Sequence, residues 1–289
     1  MDRNGLWPVV FLICAACCIG CTRRATTSEE KRITVSIEPL RYVTERLVGD
    51  AYVVHTLVPR GSSPETYEPT PGQMMELSGS ELYIACGGLG FEQNWLDRLH
   101  SSAPHTIFIS AASGIPLLPS EHHHSGKEHA DSEAGDPHVW TSPRNMAFMA
   151  RNICDALCRI DTASAAVYQS NLSDFLSELQ IVEGRIGCIL KEKQSRAFLI
   201  YHPALTYFAR DYELKQLAIE ADGKEPSASR LQALVDECRE IGVRTVFVQK
   251  EFDIRHAEVV AREIGARTVE IDPLSYDWEQ EMLHIAETL

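Results

Sequence analysis

Residues Ser164–Lys193 read SAAVYQSNLSDFLSELQIVEGRIGCILKEK, a stretch without proline in which apolar side chains recur at Leu172, Phe175, Leu176, Leu179, Val182, Ile186, Ile189 and Leu190. That spacing is helical. At ~1.5 Å per residue the helix runs on the order of 45 Å, longer than a single α/β layer needs. Gly184 and Gly187 lower its intrinsic propensity without interrupting the apolar stripe. On both sides of it the chain alternates short β-branched runs with amphipathic stretches, so the helix reads as a rigid strut between two α/β lobes.

The amino-terminal lobe, residues 32–163, carries the runs ITVSI, YVVHTLV, LYIAC and TIFIS, separated by helical patterns from about Leu40, from Gly72 and over Phe91–His100, with another leading off at Asn145. The carboxy-terminal lobe, residues 194–289, carries RAFLIY, RTVFVQ and RTVEI, with helices after Pro203, from Leu231, over Ala257–Gly265 and at the end. Strands that alternate with helices build parallel sheets covered on both faces. A length of 289 residues with 44% hydrophobic content suffices for about two such cores.

The formal net charge of −14, from 41 acidic against 27 basic residues, argues against a nucleic-acid partner. Phosphate binding needs a clustered basic surface, and no run of Lys and Arg supplies one. Residues 1–21, MDRNGLWPVVFLICAACCIGC, join a short polar start to an apolar run too brief to span a bilayer, ending in small residues and Cys21. This reads as a secretory signal of the bacterial lipoprotein type, with Cys21 the lipidated residue and residues 22–31 a polar tether. Cys86, Cys154, Cys158, Cys188 and Cys238 remain for the folded part, an odd number that cannot all pair within the chain; Cys154 and Cys158, four apart in a helical pattern with no CxxC or second cluster, read as small buried hydrophobes rather than a metal pair.

Open parallel sheets bind ligands beyond the carboxyl ends of their strands. The residues there are His202 after RAFLIY, Asp272 after RTVEI, and Glu65 in the proline-rich loop SPETYEPTP that follows YVVHTLV, while His138 lies in the Pro-flanked loop DPHVWTSP. Two imidazoles and two carboxylates from four separate loops make a sensible shell for a borderline divalent cation, and their charges neutralise M²⁺ when both histidines are neutral. Residues 121–135 hold His122, His123, His124 and His129 among acids and small polar residues. This His-rich surface insertion can capture Zn²⁺ weakly and raise its local concentration.

The blocks SPETYEPTP, DPHVW, YHPALTYFARDY, GKEPSASRL and VFVQKEFD, in this order and over essentially the whole mature chain, resemble the zinc- and manganese-binding lipoproteins that feed ATP-binding cassette importers, the cluster A-I solute-binding proteins. The resemblance implies two α/β lobes joined by one long helix, a metal held between them, and a membrane permease as receiving partner. It also implies no enzymatic activity, a monomer, and a place in the bacterial cell envelope, periplasmic or on the outer surface, anchored through Cys21. Carried over residue by residue, its ligands fall on His138, His202 and Asp272; the fourth position, a His in the family, is Glu65 here. Glu68 matches a Glu of the family that fixes the loop behind the ligands.

Glu in place of His makes the site harder and offers one oxygen or two, which admits Mn²⁺ or Fe²⁺ more readily, while the Irving–Williams trend still favours Zn²⁺. The His-rich insertion tilts the expectation to zinc, with manganese or iron(II) as the alternative. A metallohydrolase would use the same ligands to activate water, but no HExxH helix or phosphate cradle accompanies them. A metal-dependent adhesin is the remaining alternative. The stiff linking helix leads us to expect a small tilt or loop movement on metal binding rather than a wide hinge closure.

Overall fold

The computed structural model describes residues 30–119, 135–220, 226–252 and 254–289. The signal segment with Cys21, most of the tether, and His122, His123, His124 and His129 lie outside these residues.

The first sheet is built from β1 (Arg32–Val35), β2 (Val53–Thr56), β3 (Leu82–Ala85) and β4 (Ile107–Ser110), all parallel in the order β2-β1-β3-β4. Helices α1 (Glu38–Val48), α2 (Pro71–Ser78) and α3 (Gly90–Ser102) connect them. The second sheet has β5 (Ala197–Ile200), β6 (Lys215–Ala218), β7 (Thr245–Gln249) and β8 (Arg267–Ile271) in the matching order β6-β5-β7-β8, again all parallel. Its helices are α6 (Thr206–Asp211), α7 (Ala228–Ile241), α8 (Arg255–Ile264) and α9 (Trp278–Thr288). The inner strands β3 and β5 are buried at every position, as their unbroken apolar runs LYIA and AFLI require when both faces are covered. In each sheet the strand order reverses beside the central strand, which opens a crevice at the carboxyl ends.

Strand β6 is the one element that the hydrophobic pattern did not signal. Its sequence KQLA has an exposed Lys215 and a buried Gln216, because it is an edge strand paired on one side only. Gln216 is satisfied by accepting from the Leu205 amide at 2.9 Å and donating to Thr206 Oγ1 at 3.0 Å.

Between the sheets run α4 (Pro143–Ile160) and the linking helix α5 (Ala165–Lys191). Helix α5 is continuous through Gly184 and Gly187 and buries Tyr168, Phe175, Leu179, Val182, Ile186 and Leu190. It packs on α4, α1 and α9, so it touches helices from both ends of the chain. Of the cysteines, Cys154 is buried as expected and Cys158 only half-buried; Cys86 and Cys238 are buried, and Cys188 is exposed. The Cys154 and Cys158 sulfurs are 4.0 Å apart on α4.

Two tryptophans close the seam. Trp140 Nε1 donates to the Pro273 carbonyl at 2.9 Å, and Trp278 Nε1 donates to the Trp140 carbonyl at 2.9 Å; both rings are fully buried. One buried apolar cluster runs from β1 through α5 to α9 and includes both rings. Replacing Trp278 by Phe keeps an aromatic ring but removes part of the indole's bulk and leaves the Trp140 carbonyl without its donor; the missing donor alone costs about 1–3 kcal/mol, and the space left behind adds to it. Urea unfolding of Trp278→Phe, followed by circular dichroism, is expected to show that loss within a single transition; two separated transitions would mean that the lobes do not share this core.

Candidate metal centre

The loop carrying Glu65 is held at one end by side chains of its own segment and at the other by the backbone of α3. Thr70 caps α2 through the Gln73 amide at 3.3 Å, and Gln73 Oε1 accepts from the Thr70 amide at 2.9 Å and from the Tyr67 hydroxyl at 2.8 Å. Gln73 Nε2 donates back to the Leu57 carbonyl at 2.6 Å, tying the loop to the end of β2. At the other end the Phe91 amide, in the first turn of α3, donates to the Pro64 carbonyl at 3.0 Å. Glu65 is thereby fixed at the carboxyl end of the first sheet. Glu68 is exposed on the same loop.

His138 is buried in the turn that enters α4. Its Nδ1 meets Asp136 Oδ1 at 2.8 Å, and the same oxygen accepts the His138 amide at 2.8 Å. Asp136 is anchored in turn by its own amide, which donates to the Leu118 carbonyl at 2.8 Å, and by its carbonyl, which accepts the Tyr207 hydroxyl at 2.7 Å. His202 follows β5 at the second sheet's crevice. Gln249, at the end of β7, brackets its backbone, with the His202 amide on Oε1 at 3.3 Å and Nε2 on its carbonyl at 2.6 Å. His202 Nδ1 meets Glu220 Oε2 at 3.0 Å, and the Phe252 ring stacks on the imidazole at 5.1 Å between centroids.

An Nδ1–H engaged by a carboxylate leaves Nε2 with its lone pair. Both Nε2 atoms point into one small cavity of about 30 Å³ and lie 3.1 Å apart, with Glu65 Oε1 3.9 Å from His138 Nε2. Two ligand nitrogens each ~2.0–2.1 Å from a tetrahedral ion sit about 3.3 Å apart, so the imidazoles are already spaced for a shared cation. Glu65 Oε1 is buried with no hydrogen-bond partner, an acceptor held ready with nothing to accept. Glu65, His138 and His202 form the metal-sized cluster found among the described residues.

Asp272 ends β8 beside this cluster without joining it. Its Oδ2 lies 3.6 Å from Lys250 Nζ, and its amide donates to Glu281 Oε1 at 2.8 Å. The carboxylate lines an adjoining cavity with Glu38, Arg60 and Tyr276, while its neighbours Pro273 and Leu274 line the histidine cavity. Sequence reading did not single out Asp136, Glu220, Glu251 or Phe252. Asp136 opens the DPHVW block two residues before its histidine, a signal that was available; Glu220 follows the unrecognised strand β6 and had none. Glu251 lines the cavity, and burial holds its carboxyl above the ordinary range.

A family profile described as zinc-uptake complex component A, periplasmic (ZnuA), matches residues 33–289. The chain belongs to the ZnuA family. The high-affinity zinc uptake system protein ZnuA of Bacillus subtilis (strain 168) is 28% identical over 283 residues, covering 94% of this chain and 88% of that relative. A crystal structure of ZnuA superposes with a TM-score of 0.83 at 38% identity, over 89% of this chain and 97% of that one. A deletion mutant of ZnuA with zinc bound superposes equally well, at 0.83 and 37% identity over 89% and 96%. Two four-stranded parallel sheets linked by α5 are thus the ZnuA architecture, with the histidine cavity at the sheets' carboxyl ends.

Burial disfavours a charged His138, yet the Asp136 carboxylate and its hydrogen bond outweigh burial and hold His138 above its ordinary value. Burial likewise works against the Asp136 carboxylate, and His138 outweighs it in lowering that pKa. In the metal-free protein the pair therefore adds most stability between about 4 and about 6.5, the ordinary values of the two groups. That contribution fades as pH rises through the raised His138 value or falls through the lowered Asp136 value. Asp136→Asn is expected to bring the NMR titration of His138 down and to weaken zinc binding about 10–100-fold. An unchanged titration together with unchanged affinity would show that Asp136 does not orient this imidazole.

Proposed function

We propose that this protein captures Zn²⁺ outside the cytoplasm and delivers it to the permease of an ATP-binding cassette importer, acting as a carrier without catalytic turnover. The observation that carries the reading is the convergence of two Nε2 atoms at 3.1 Å with the unpartnered Glu65 Oε1 in one buried cavity. The zinc named for its relatives fits this mixed set of imidazole and carboxylate donors. Glu65, His138 and His202 are the ligands in this reading, and Asp272 becomes the fourth by exchanging Lys250 for the ion. That exchange needs only a local shift, because Pro273, the next residue, already lines the cavity.

The same proposal covers the parts of the chain outside the described residues. Cys21 is lipidated and tethers a monomer to the membrane, and His122, His123, His124 and His129 gather zinc near the main site. Delivery is what separates a carrier from an adhesin or a store.

Three experiments test the reading. Competition titration against a zinc chelator is expected to show that Glu65→Ala, His138→Ala, His202→Ala and Asp272→Ala each weaken binding by at least the about tenfold that outer partners contribute, the histidines most; a Glu65→Ala variant that binds as the parent does would remove Glu65 from the shell. Deletion of the gene is expected to stop growth under zinc chelation, and normal growth would favour the adhesin. Affinity is also expected to fall between pH 7.5 and 5.5, because protons compete with the ion for imidazole and carboxylate, and the raised His138 value brings that competition in early. Affinity that stays flat over this interval would contradict the ligand set.

A further inference from the structure

The sequence left open whether Glu65 gives a metal one oxygen or two, and the first residue of α3 bears on that choice. Gly90 faces the Glu65 peptide so closely that a Cβ built on it would fall 2.4 Å from the Glu65 carbonyl oxygen, 3.0 Å from its carbon and 2.8 Å from Oε2. Gly90 is not among the residues with positive φ, so the position requires glycine for close approach rather than for backbone shape. The approach is held from both sides. The Phe91 amide donates to the Pro64 carbonyl at 3.0 Å, pulling the Glu65 loop onto the first turn of α3.

The start of α3 is itself fixed by the buried Glu92. Its carboxylate accepts the amides of Cys86 at 2.7 Å, Gly87 at 2.8 Å and Gly88 at 3.0 Å, as well as the Ser36 hydroxyl. The helix end cannot retreat from Glu65 without breaking those bonds.

From these contacts we infer that Gly90 is a positioning residue that makes Glu65 a one-oxygen ligand. It lets Oε2 lodge against the helix end while Oε1 alone faces the histidines. The inference rests on the proposal that Glu65 is a ligand. A carboxylate confined in this way keeps the site at four donors, two nitrogens and two oxygens with Asp272. Four-coordination suits Zn²⁺, whereas Mn²⁺ prefers more oxygen donors around it. The acid that replaces histidine in this chain is thus held in a form that retains zinc preference.

The test is a double-mutant cycle read as zinc and manganese affinity, with Gly90→Ala, Glu65→Ala and the double variant beside the parent. Gly184→Ala, where an added Cβ meets nothing within 4 Å, serves as a control. Gly90→Ala is expected to weaken zinc binding about tenfold, the low end of the effect of an outer partner, and to narrow the preference for zinc over manganese. In the Glu65→Ala background the same change is expected to leave affinity unaltered. An equal loss in both backgrounds, or no loss in the parent, overturns the inference.

If Gly90→Ala does not fold, the zinc-loaded parent decides. A crystal structure with Oε1 about 2.0–2.2 Å from zinc and Oε2 outside bonding distance supports the inference, and two bonding oxygens overturn it. Loss of the ligand proposal would register separately, as a Glu65→Ala variant with parental affinity.

Discussion

The chained hydrogen bonds of the Trp278 and Trp140 indoles are the constraint on which the candidate metal centre depends. Trp140 stands two residues after His138 and reaches the Pro273 carbonyl, one residue after Asp272; Trp278, at the start of α9, reaches back to the Trp140 carbonyl. Both indoles are buried, so each donor must find an acceptor inside the protein or forfeit its hydration. Satisfying both at once fixes the turn of His138 against the corner after β8. The two sheets can then present their carboxyl ends to a single cavity, although no strand hydrogen-bonds from one sheet to the other among the described residues.

Within that frame, the electrostatics of the cavity are arranged in pairs. Each imidazole has its Nδ1 on a buried carboxylate, Asp136 for His138 and Glu220 for His202. The carboxylates orient the rings and enrich the cavity in negative charge, and Glu65 adds to it. Lys250 lies beside Asp272, its Nζ 3.6 Å from Oδ2. Three carboxylates set beside two imidazoles favour a divalent cation, whose charge offsets their mutual repulsion. Burial works against the Asp136 carboxylate, and His138, through its charge and its ring and amide hydrogen bonds, holds the Asp136 pKa below its ordinary value.

Much of the fold could be read from the sequence because its strongest signals are periodic. The apolar stripe from Leu172 to Leu190 gave the linking helix, and the β-branched runs gave seven of the eight strands. Strand β6 escaped because KQLA is polar at an edge, where pairing with β5 rather than its own pattern makes it a strand. The candidate site residues were legible by a different route: strand ends in parallel sheets collect function, and that rule selected Glu65, His202 and Asp272, of which the first two meet at the cavity. The outer partners were not, since Glu220 reaches His202 only through the register of β5 with β6, eighteen residues on. Nor could the sequence show that Asp272 sits against Lys250, because the choice between two neighbouring cavities is set by side-chain geometry over a few ångströms.

The same geometry bears on how an ion enters and leaves. Separating the lobes would break the tryptophan bonds and pull Tyr276 from its place, where its hydroxyl meets Glu45 Oε2 at 2.6 Å and its ring lies 5.3 Å from the Arg41 guanidinium and 5.8 Å from that of Arg60. Tyr42 of α1 adds a hydrogen bond to Glu279 of α9 at 2.7 Å. Each is a contact between the amino-terminal helix α1 or its neighbouring loop and the end of the chain, and together they resist opening. By contrast Phe252, after β7, lines the cavity with a ring stacked on His202 and tilted against Tyr201. Displacing one ring gives up about 0.5–1.5 kcal/mol of aromatic contact beyond its buried area. Opening the seam gives up two buried hydrogen bonds and continuous apolar packing as well. A local movement at the carboxyl end of β7 is therefore the less costly way to uncover the histidines, in line with the small displacement that a helix as long as α5, packed against both ends of the chain, would permit.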